Sequence, residues 1–222
     1  MSKVGIYPSI MCCKPWDIKE YIEEFEKHDI TSIHFDVMDG HYVPNIMLGS
    51  AFFKDIASIT KLPIDVHLMV EKPELFIDYF AFRKNDYCCF HPETTNQPYR
   101  LLQHIRSKGV KAGYAISPAI TVDYIANSLG VLDYVLVMSI NPGFASQTMV
   151  PDHIAKLKTI SEICKSADHK IEIIVDGNTN VENTKKMITN GADGVVAGTS
   201  SMLKYGPETF DKYYSDYMEA IK

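Results

Sequence analysis

The sequence predicts an α/β fold that consists of a single (β/α)8 barrel over residues 1–222. Eight short runs of β-branched and aromatic residues alternate with segments of helical periodicity. In a chain of 222 residues, each strand and helix pair takes roughly 28 residues, close to the minimum for a closed parallel barrel. Because no stretch rich in Pro, Gly and Ser marks a linker, we expect one domain.

The predicted strands begin near the amino terminus and recur along the whole chain. They cover residues 4–7, 32–35, 64–67, 87–90, 111–116, 134–137, 171–175 and 194–197. Each is followed by a segment that can form a helix. Strict alternation of strand and helix is typical of a parallel sheet whose outer face is covered by helices.

The segments between the strands carry apolar residues at the spacing of one helix face. The first has Ile18, Tyr21, Ile22 and Phe25, and the same spacing recurs from residue 154 to residue 163. The main structural alternative is a doubly wound open sheet. That fold ordinarily has a glycine-rich phosphate loop after its first strand, whereas residues 8–11 here read Pro-Ser-Ile-Met.

Composition favours a small-molecule partner. The formal net charge is -6, and basic and acidic residues are mixed along the chain, so we expect neither nucleic acid nor an anionic membrane as a partner. The sequence shows no secretion signal and no apolar run long enough to span a bilayer, which predicts a cytoplasmic protein. Five cysteines, four of them in adjacent pairs, predict reduced thiols rather than a disulfide framework.

Four ionisable residues mark the ends of three predicted strands. His34 and Asp36 end the second strand, His67 ends the third and Asp176 ends the seventh. The active site of this fold lies at the carboxyl ends of the strands, and the period of two turns His34 and Asp36 into the barrel mouth. Imidazole and carboxylate together suit Zn, Fe, Mn or Co, so we expect one divalent ion. Each residue alone could instead be a hydrogen-bonded structural residue.

Three methionines follow strand ends in the same region, at Met38, Met69 and Met138. A soft apolar surface at these positions would line one side of a bound ligand. Ordinary core packing is the alternative.

Glycine-bearing loops follow the last three predicted strands. Loops at this end of the barrel usually bind phosphate, because backbone N–H groups point at the anion. Any single glycine could be only a turn residue, but their clustering favours phosphate. The candidate residues are Gly143, Phe144, Ala145, Gly177, Asn178, Gly198, Thr199 and Ser200.

From residue 8 to about residue 203 the chain resembles the ribulose-phosphate 3-epimerase family. The resemblance is carried by five segments: residues 8–10 (PSI), 34–45 (HFDVMDGHYVPN), 65–70 (DVHLMV), 137–144 (VMSINPGF) and 175–177 (VDG). It implies a TIM barrel of the ribulose-phosphate-binding type, and a homo-oligomer. It also implies a metal held by His34, Asp36, His67 and Asp176. Asp36 and Asp176 would then be the proton-transfer pair that inverts C3 of a phosphorylated ketose, and Ser9 would contact the substrate.

The chain departs from the usual pattern of this family in the loops that are expected to bind the phosphate. Ala145 and Ser146 replace two glycines, Asn178 replaces another, residues 91–94 read His-Pro-Glu-Thr, and residues 198–200 read Gly-Thr-Ser. These variants resemble the D-allulose 6-phosphate 3-epimerase branch. We therefore expect the six-carbon ketose, with D-ribulose 5-phosphate as the alternative substrate.

Two other hypotheses belong to different classes. Decarboxylases and aldolases with this fold need an Asp-x-Lys-x-x-Asp run, which the sequence lacks, and triosephosphate isomerase chemistry needs a lysine at a strand end that the first predicted strand does not supply. An inactive sugar-phosphate-binding barrel is the non-enzyme alternative. Loss of a ligand would be its sign, and all four are present.

Overall fold

The computed structural model of the protein describes residues 3–222, and within them nine strands form one sheet. Eight strands run parallel and correspond to the eight predicted strands. The other, β3, is a two-residue antiparallel partner of β2 that the sequence analysis missed. The strands are β1 (Gly5–Pro8), β2 (Ile33–Asp39), β3 (Ile46–Met47), β4 (Ile64–Met69), β5 (Tyr87–Phe90), β6 (Lys111–Ile116), β7 (Tyr134–Met138), β8 (Glu172–Asp176) and β9 (Gly194–Ala197).

The sheet closes on itself. Its strand order is β1-β9-β8-β7-β6-β5-β4-β2-β3, so β1 and β2 must meet to complete a ring. They do so through a parallel bridge between Ser9 and His34, and through a 2.9 Å hydrogen bond from the Thr31 N–H to the Ile6 carbonyl. Parallel strands closed in this way form the predicted (β/α)8 barrel.

Helices cover the outside of the ring. They are α1 (Ile18–Lys27), α2 (Ser50–Ile59), α3 (Pro98–Ser107), α4 (Asp123–Ala126), α5 (His153–Cys164), α6 (Val181–Thr189) and α7 (Phe210–Ala220). The expectation of a helix after every strand is wrong for β4, which is followed by two 3-10 turns, Pro73–Leu75 and Ile77–Tyr79. Aromatic residues such as Phe76 and Phe80, which have low helix propensity, dominate this segment.

Two apolar layers result from the period of two along each strand. Outward residues such as Phe35 and Val66 pack against the helices in the larger layer. Inward residues fill the barrel, where Tyr7, Tyr87 and Tyr134 lie edge to face. Glycine makes room for them: a Cβ on Gly113 would lie 2.6 Å from the Tyr134 ring. The filled interior gives the mouth a solid floor.

Two strands extend at least two residues past their predicted carboxyl ends. β2 continues past Phe35 to Asp39, and β4 continues past His67 to Met69. The predicted ligand residues on these strands therefore lie inside the hydrogen-bonded sheet rather than at its frayed ends, which fixes their backbone. All five cysteines are free thiols, as expected, and four of them are buried. Among residues 3–222, no helix is long and apolar enough to cross a membrane.

Candidate active site

Two histidines and two aspartates meet at the carboxyl-terminal mouth of the barrel. His34 and Asp36 project inward from β2, His67 from β4 and Asp176 from the last position of β8. The parallel register sets Asp36 directly opposite His67. One ring nitrogen or carboxylate oxygen of each residue lies within 4.8 Å of those of the other three. The structure therefore brings together the four residues that the sequence analysis selected as ligands.

The spacing and chemistry of these atoms fit one divalent ion. Asp36 Oδ1 lies 3.2 Å from both His34 Nε2 and His67 Nδ1, and Asp176 Oδ2 lies 3.9 Å from His34 Nε2. Ligand atoms about 2.0–2.2 Å from a tetrahedral ion are roughly 3.3–3.6 Å apart, which is close to these distances. The set of two imidazole nitrogens and two carboxylate oxygens suits Zn, Fe, Mn or Co.

A buried carboxylate orients His34. Asp65 Oδ2 lies 2.8 Å from His34 Nδ1, and the Tyr134 hydroxyl donates to Asp65 Oδ1 at 2.6 Å. The Nδ1 atom of His34 therefore carries a hydrogen, and Nε2 faces the two aspartates. Asp65 was not among the predicted site residues, although the period of two places it on the same face of β4 as His67.

The two aspartates differ in acidity. Burial acts to raise the pKa of Asp36, but the imidazoles of His34 and His67 outweigh it and hold that pKa well below its usual range. Burial raises the pKa of Asp176 to about 6; His34 opposes the shift and Asp36 adds to it. Paired groups whose pKa values are pushed apart are typical of acid and base partners.

Ser9 and the three methionines border these ligands. Ser9 is buried after β1, and its hydroxyl donates to Asp36 Oδ2 at 2.7 Å. Met38, Met69 and Met138 line the same cavity as Asp36 and Asp176. Met38 and Met69 pack against Val43, which follows β2. The methionines thus form an apolar wall beside the charged cluster.

Three loops complete the lining of the cavity. They follow β7, β8 and β9. All the residues predicted for phosphate lie on its lining, together with Ser146: Gly143, Phe144, Ala145, Gly177, Asn178, Gly198, Thr199 and Ser200. Cys12 and Ile140 also line the cavity, and no sequence signal pointed to them.

The replaced glycines keep a glycine-like backbone. Ser146 and Asn178 have φ values of 63° and 48°, in the left-handed region that glycine adopts most readily. Asn183 donates to both the side-chain oxygen and the carbonyl of Asn178, at 2.6 and 3.0 Å, and so holds this conformation. At Ser146 and Asn178 the departures from the family pattern therefore change the side chain while leaving the backbone in a conformation that glycine favours.

Comparison with known proteins identifies the family. Residues 5–202 match the model described as the Ribulose-phosphate 3 epimerase family. A ribulose-phosphate 3-epimerase of Methanocaldococcus jannaschii is 36% identical over 200 residues, which cover 90% of this chain and 84% of that protein. The protein of the same name from Bacillus subtilis is 36% identical over 198 residues, covering 89% and 91%. The Escherichia coli K12 protein is 37% identical over 169 residues, covering 76% and 75%.

Solved structures of low identity share the fold. A mutant tryptophan synthase α-subunit from Pyrococcus furiosus superposes with a TM-score of 0.66 at 13% identity, covering 100% of this chain and 99% of that chain. The N-(5'-phosphoribosyl)anthranilate isomerase of the same organism has a TM-score of 0.61 at 18% identity, covering 98% of each chain. These likenesses support the barrel, and the sequence matches support the chemistry. The chain is an isomerase of the epimerase class and belongs to the ribulose-phosphate 3-epimerase family.

Proposed function

We propose that this chain is a metal-dependent 3-epimerase that interconverts D-ribulose 5-phosphate and D-xylulose 5-phosphate. The observation that carries the proposal is the cluster of His34, Asp36, His67 and Asp176 at the floor of a cavity rimmed by glycine-bearing loops. Family membership supports a phosphorylated sugar as substrate.

The choice of the five-carbon sugar revises the expectation from the sequence. The relatives from M. jannaschii, B. subtilis and E. coli are all named ribulose-phosphate 3-epimerase. The expectation of a six-carbon substrate rested on altered phosphate binding by the loops that contain Ser146 and Asn178. Because both residues have a left-handed backbone, as glycine would, the replacements give weak support for a different mode of phosphate binding. The six-carbon ketose remains the second candidate, supported by the changed side chains alone.

Removal of the C3 proton needs stabilisation of the resulting negative charge, since a hydrogen on C3 beside the C2 ketone is too weakly acidic for an unaided carboxylate to remove. His34, Asp36, His67 and Asp176 would hold a divalent ion, which when bound would supply Lewis-acid stabilisation of the negative charge that develops on the substrate oxygens. Asp65 and Tyr134 keep His34 in the tautomer and orientation that this role requires.

Inversion at C3 requires proton transfer on both faces of the carbon. Asp36 on β2 and Asp176 on β8 come from strands separated in the ring by β1 and β9, so their carboxylates approach the mouth from different sides. One removes the C3 proton from one face, and the other delivers a proton to the opposite face. Their roles exchange in the reverse reaction.

The remaining residues bind and shield the substrate. Backbone N–H groups of the loops after β8 and β9 are suited to the phosphate, as in other barrels of this type. The wall formed by Met38, Met69 and Met138 keeps water from the reacting carbons. The Ser9 hydroxyl holds Asp36 and is within reach of a substrate bound at that carboxylate.

The test is a comparison of D-ribulose 5-phosphate with D-allulose 6-phosphate on one preparation of the enzyme. We expect kcat/KM for the five-carbon sugar to be at least about tenfold higher, which corresponds to about 1.4 kcal/mol in transition-state binding. A tenfold preference for the six-carbon sugar would overturn the proposed substrate. Absence of C3 inversion with both sugars, in protein loaded with metal, would support an inactive binding barrel instead.

A further inference from the structure

A chain of hydrogen bonds leads away from the ligand cluster on the side of His67. His67 Nε2 lies 2.9 Å from His91 Nε2, and His91 Nδ1 lies 3.0 Å from Ser117 Oγ. Ser117 Oγ lies 3.1 Å from the Tyr42 hydroxyl, which donates to Glu93 Oε1 at 2.8 Å. Three side chains, those of His91, Ser117 and Tyr42, thus connect His67 to the carboxylate of Glu93.

Packing holds this series of hydrogen-bonded side chains in place. His91 is fully buried after β5, and its ring lies between those of His67 and Tyr42, with centroids 5.1 and 4.7 Å away. Ser117 is buried after β6. The Lys156 ammonium donates to the carbonyls of Ser117 and Pro118 at 2.8 and 2.9 Å, which fixes the backbone that carries the Ser117 hydroxyl.

The carboxylate of Glu93, at one end of this series, decides the direction of the hydrogen bonds. As a carboxylate, Glu93 can only accept, so Tyr42 donates to it and the Tyr42 oxygen is left to accept from Ser117. Ser117 then accepts from the N–H at His91 Nδ1. A neutral His91 with its hydrogen on Nδ1 has a lone pair on Nε2, and only a hydrogen on His67 Nε2 can complete the 2.9 Å contact.

This direction leaves the other nitrogen of His67 without a hydrogen. His67 Nδ1 is the atom that lies 3.2 Å from Asp36 Oδ1, inside the cluster of ligand atoms. If the order of the bonds were reversed, the hydrogen would sit on Nδ1 and would block it as a ligand. This series of hydrogen bonds therefore fixes the tautomer of His67, as Asp65 directly fixes that of His34.

We propose that His91 is a positioning residue, and that the chain from His91 through Ser117 and Tyr42 to Glu93 keeps the hydrogen of His67 on Nε2 so that Nδ1 can bind the divalent ion. The proposal rests on the metal site of the proposed function. It assigns these four residues a role in metal affinity, separate from proton transfer at C3.

The experiment measures the dissociation constant for Co²⁺ by competition with a chromogenic chelator, in chelator-treated full-length protein. His91→Phe keeps a ring but removes the acceptor for His67, and we expect roughly 10- to 100-fold weaker binding. Ser117→Ala and Tyr42→Phe each remove one hydroxyl, and we expect smaller losses of affinity in the same direction. These two variants keep the test valid if His91→Phe does not fold.

Tyr114→Phe is the matched control. The Tyr114 hydroxyl makes a buried 3.1 Å contact with Ser128 on the outer layer of the barrel, the same distance as that between Tyr42 and Ser117. We expect Tyr114→Phe to lower the melting temperature of metal-free protein without weakening Co²⁺ binding, whereas Tyr42→Phe should weaken it. If Tyr42 were purely structural, its replacement would lower the melting temperature and leave Co²⁺ affinity unchanged.

The outcomes separate this inference from the proposed function. If wild-type protein binds Co²⁺ and both Ser117→Ala and Tyr42→Phe bind it equally well, the positioning chain is wrong and the metal site stands. If wild-type protein fails to bind Co²⁺, both the metal-dependent function and the positioning chain are overturned.

Discussion

At the scale of single residues, the site depends on which atoms carry protons. Asp65 fixes the hydrogen of His34 on Nδ1, so Nε2 faces the cluster. Two histidines and Ser9 hold Asp36 as a carboxylate, whereas burial raises the pKa of Asp176 to about 6. The two aspartates also come from different strands of the ring, β2 and β8, so each is expected to serve one face of the substrate.

Single replacements test this division of labour. Asp36→Asn or Asp176→Asn should lower epimerisation by at least the ~10²- to 10⁴-fold that a positioned acid or base contributes. In heavy water, a variant that keeps its metal should exchange the C3 hydrogen of one epimer without inverting it, because the remaining carboxylate still reaches one face. The measurement is deuterium incorporation at C3 of each epimer by NMR.

Metal content is the control for both variants, since each replaced residue is also a proposed ligand. Only a variant shown by elemental analysis to hold its ion counts in the comparison. Equal labelling of both epimers by one such variant would mean that a single base reaches both faces, contrary to the assignment of the pair.

At the scale of elements, the loops after β7 and β8 combine tight turns with close packing. Gly177 follows Asp176 with φ of 103°, and a Cβ there would lie 2.5 Å from Ile140 Cγ1. Asn45 donates from its amide to the Gly143 carbonyl at 2.9 Å and ties the loop after β2 to the loop after β7. The rim of the cavity is thus set by backbone conformation as much as by side chains.

Gly177→Ala should destabilise the protein because the left-handed backbone disfavours a side chain and the new Cβ would lie too close to Ile140 Cγ1 and Ser139 Oγ. We expect a loss on the order of 1–3 kcal/mol in the free energy of unfolding, measured in urea. Gly130→Ala is the control, since a Cβ on Gly130 meets nothing within 4 Å and its φ is not left-handed. Equal stability of the two variants would contradict the claim that this turn requires glycine.

At the scale of the whole molecule, closure of the barrel buries some polar side chains of helices and loops away from water. His153 begins α5 and is buried, and within the described residues neither of its ring nitrogens has a hydrogen-bond partner. Burial lowers the pKa of His153 to about 4. The fold therefore keeps this imidazole neutral.

This burial makes global stability depend on pH. Between pH 6.5 and about 4 an unfolded His153 binds a proton while the folded one does not, so its contribution to stability is complete above pH 6.5 and is lost as pH falls towards 4. His153→Phe should remove up to about 1.4 kcal/mol per pH unit from the slope of stability against pH. Urea unfolding from pH 7 to pH 5 measures it, and identical slopes for the two proteins would refute it.

Local sequence signals were sufficient to locate the strands and the four residues of the central cluster. Runs of β-branched and aromatic residues located all eight barrel strands, and the period of two placed His34 and Asp36 on the inner face. These inferences hold because alternation along a strand is a property of neighbouring residues. The same logic failed after β4, where a helix was expected, because propensity over a short aromatic segment is weak and packing decides the outcome.

Only the tertiary structure decided which distant residues support those ligands. Tyr134 reaches Asp65 across 69 positions, and Tyr42 reaches Ser117 across 75. No periodicity links such pairs, because their contact depends on how the ring closes and in what register. The structure also showed that Ser146 and Asn178 take a left-handed backbone, which their identity alone does not require. The sequence by itself determined the family, the barrel and the central residues of the site, whereas the closed ring decided how their hydrogens and loops are held.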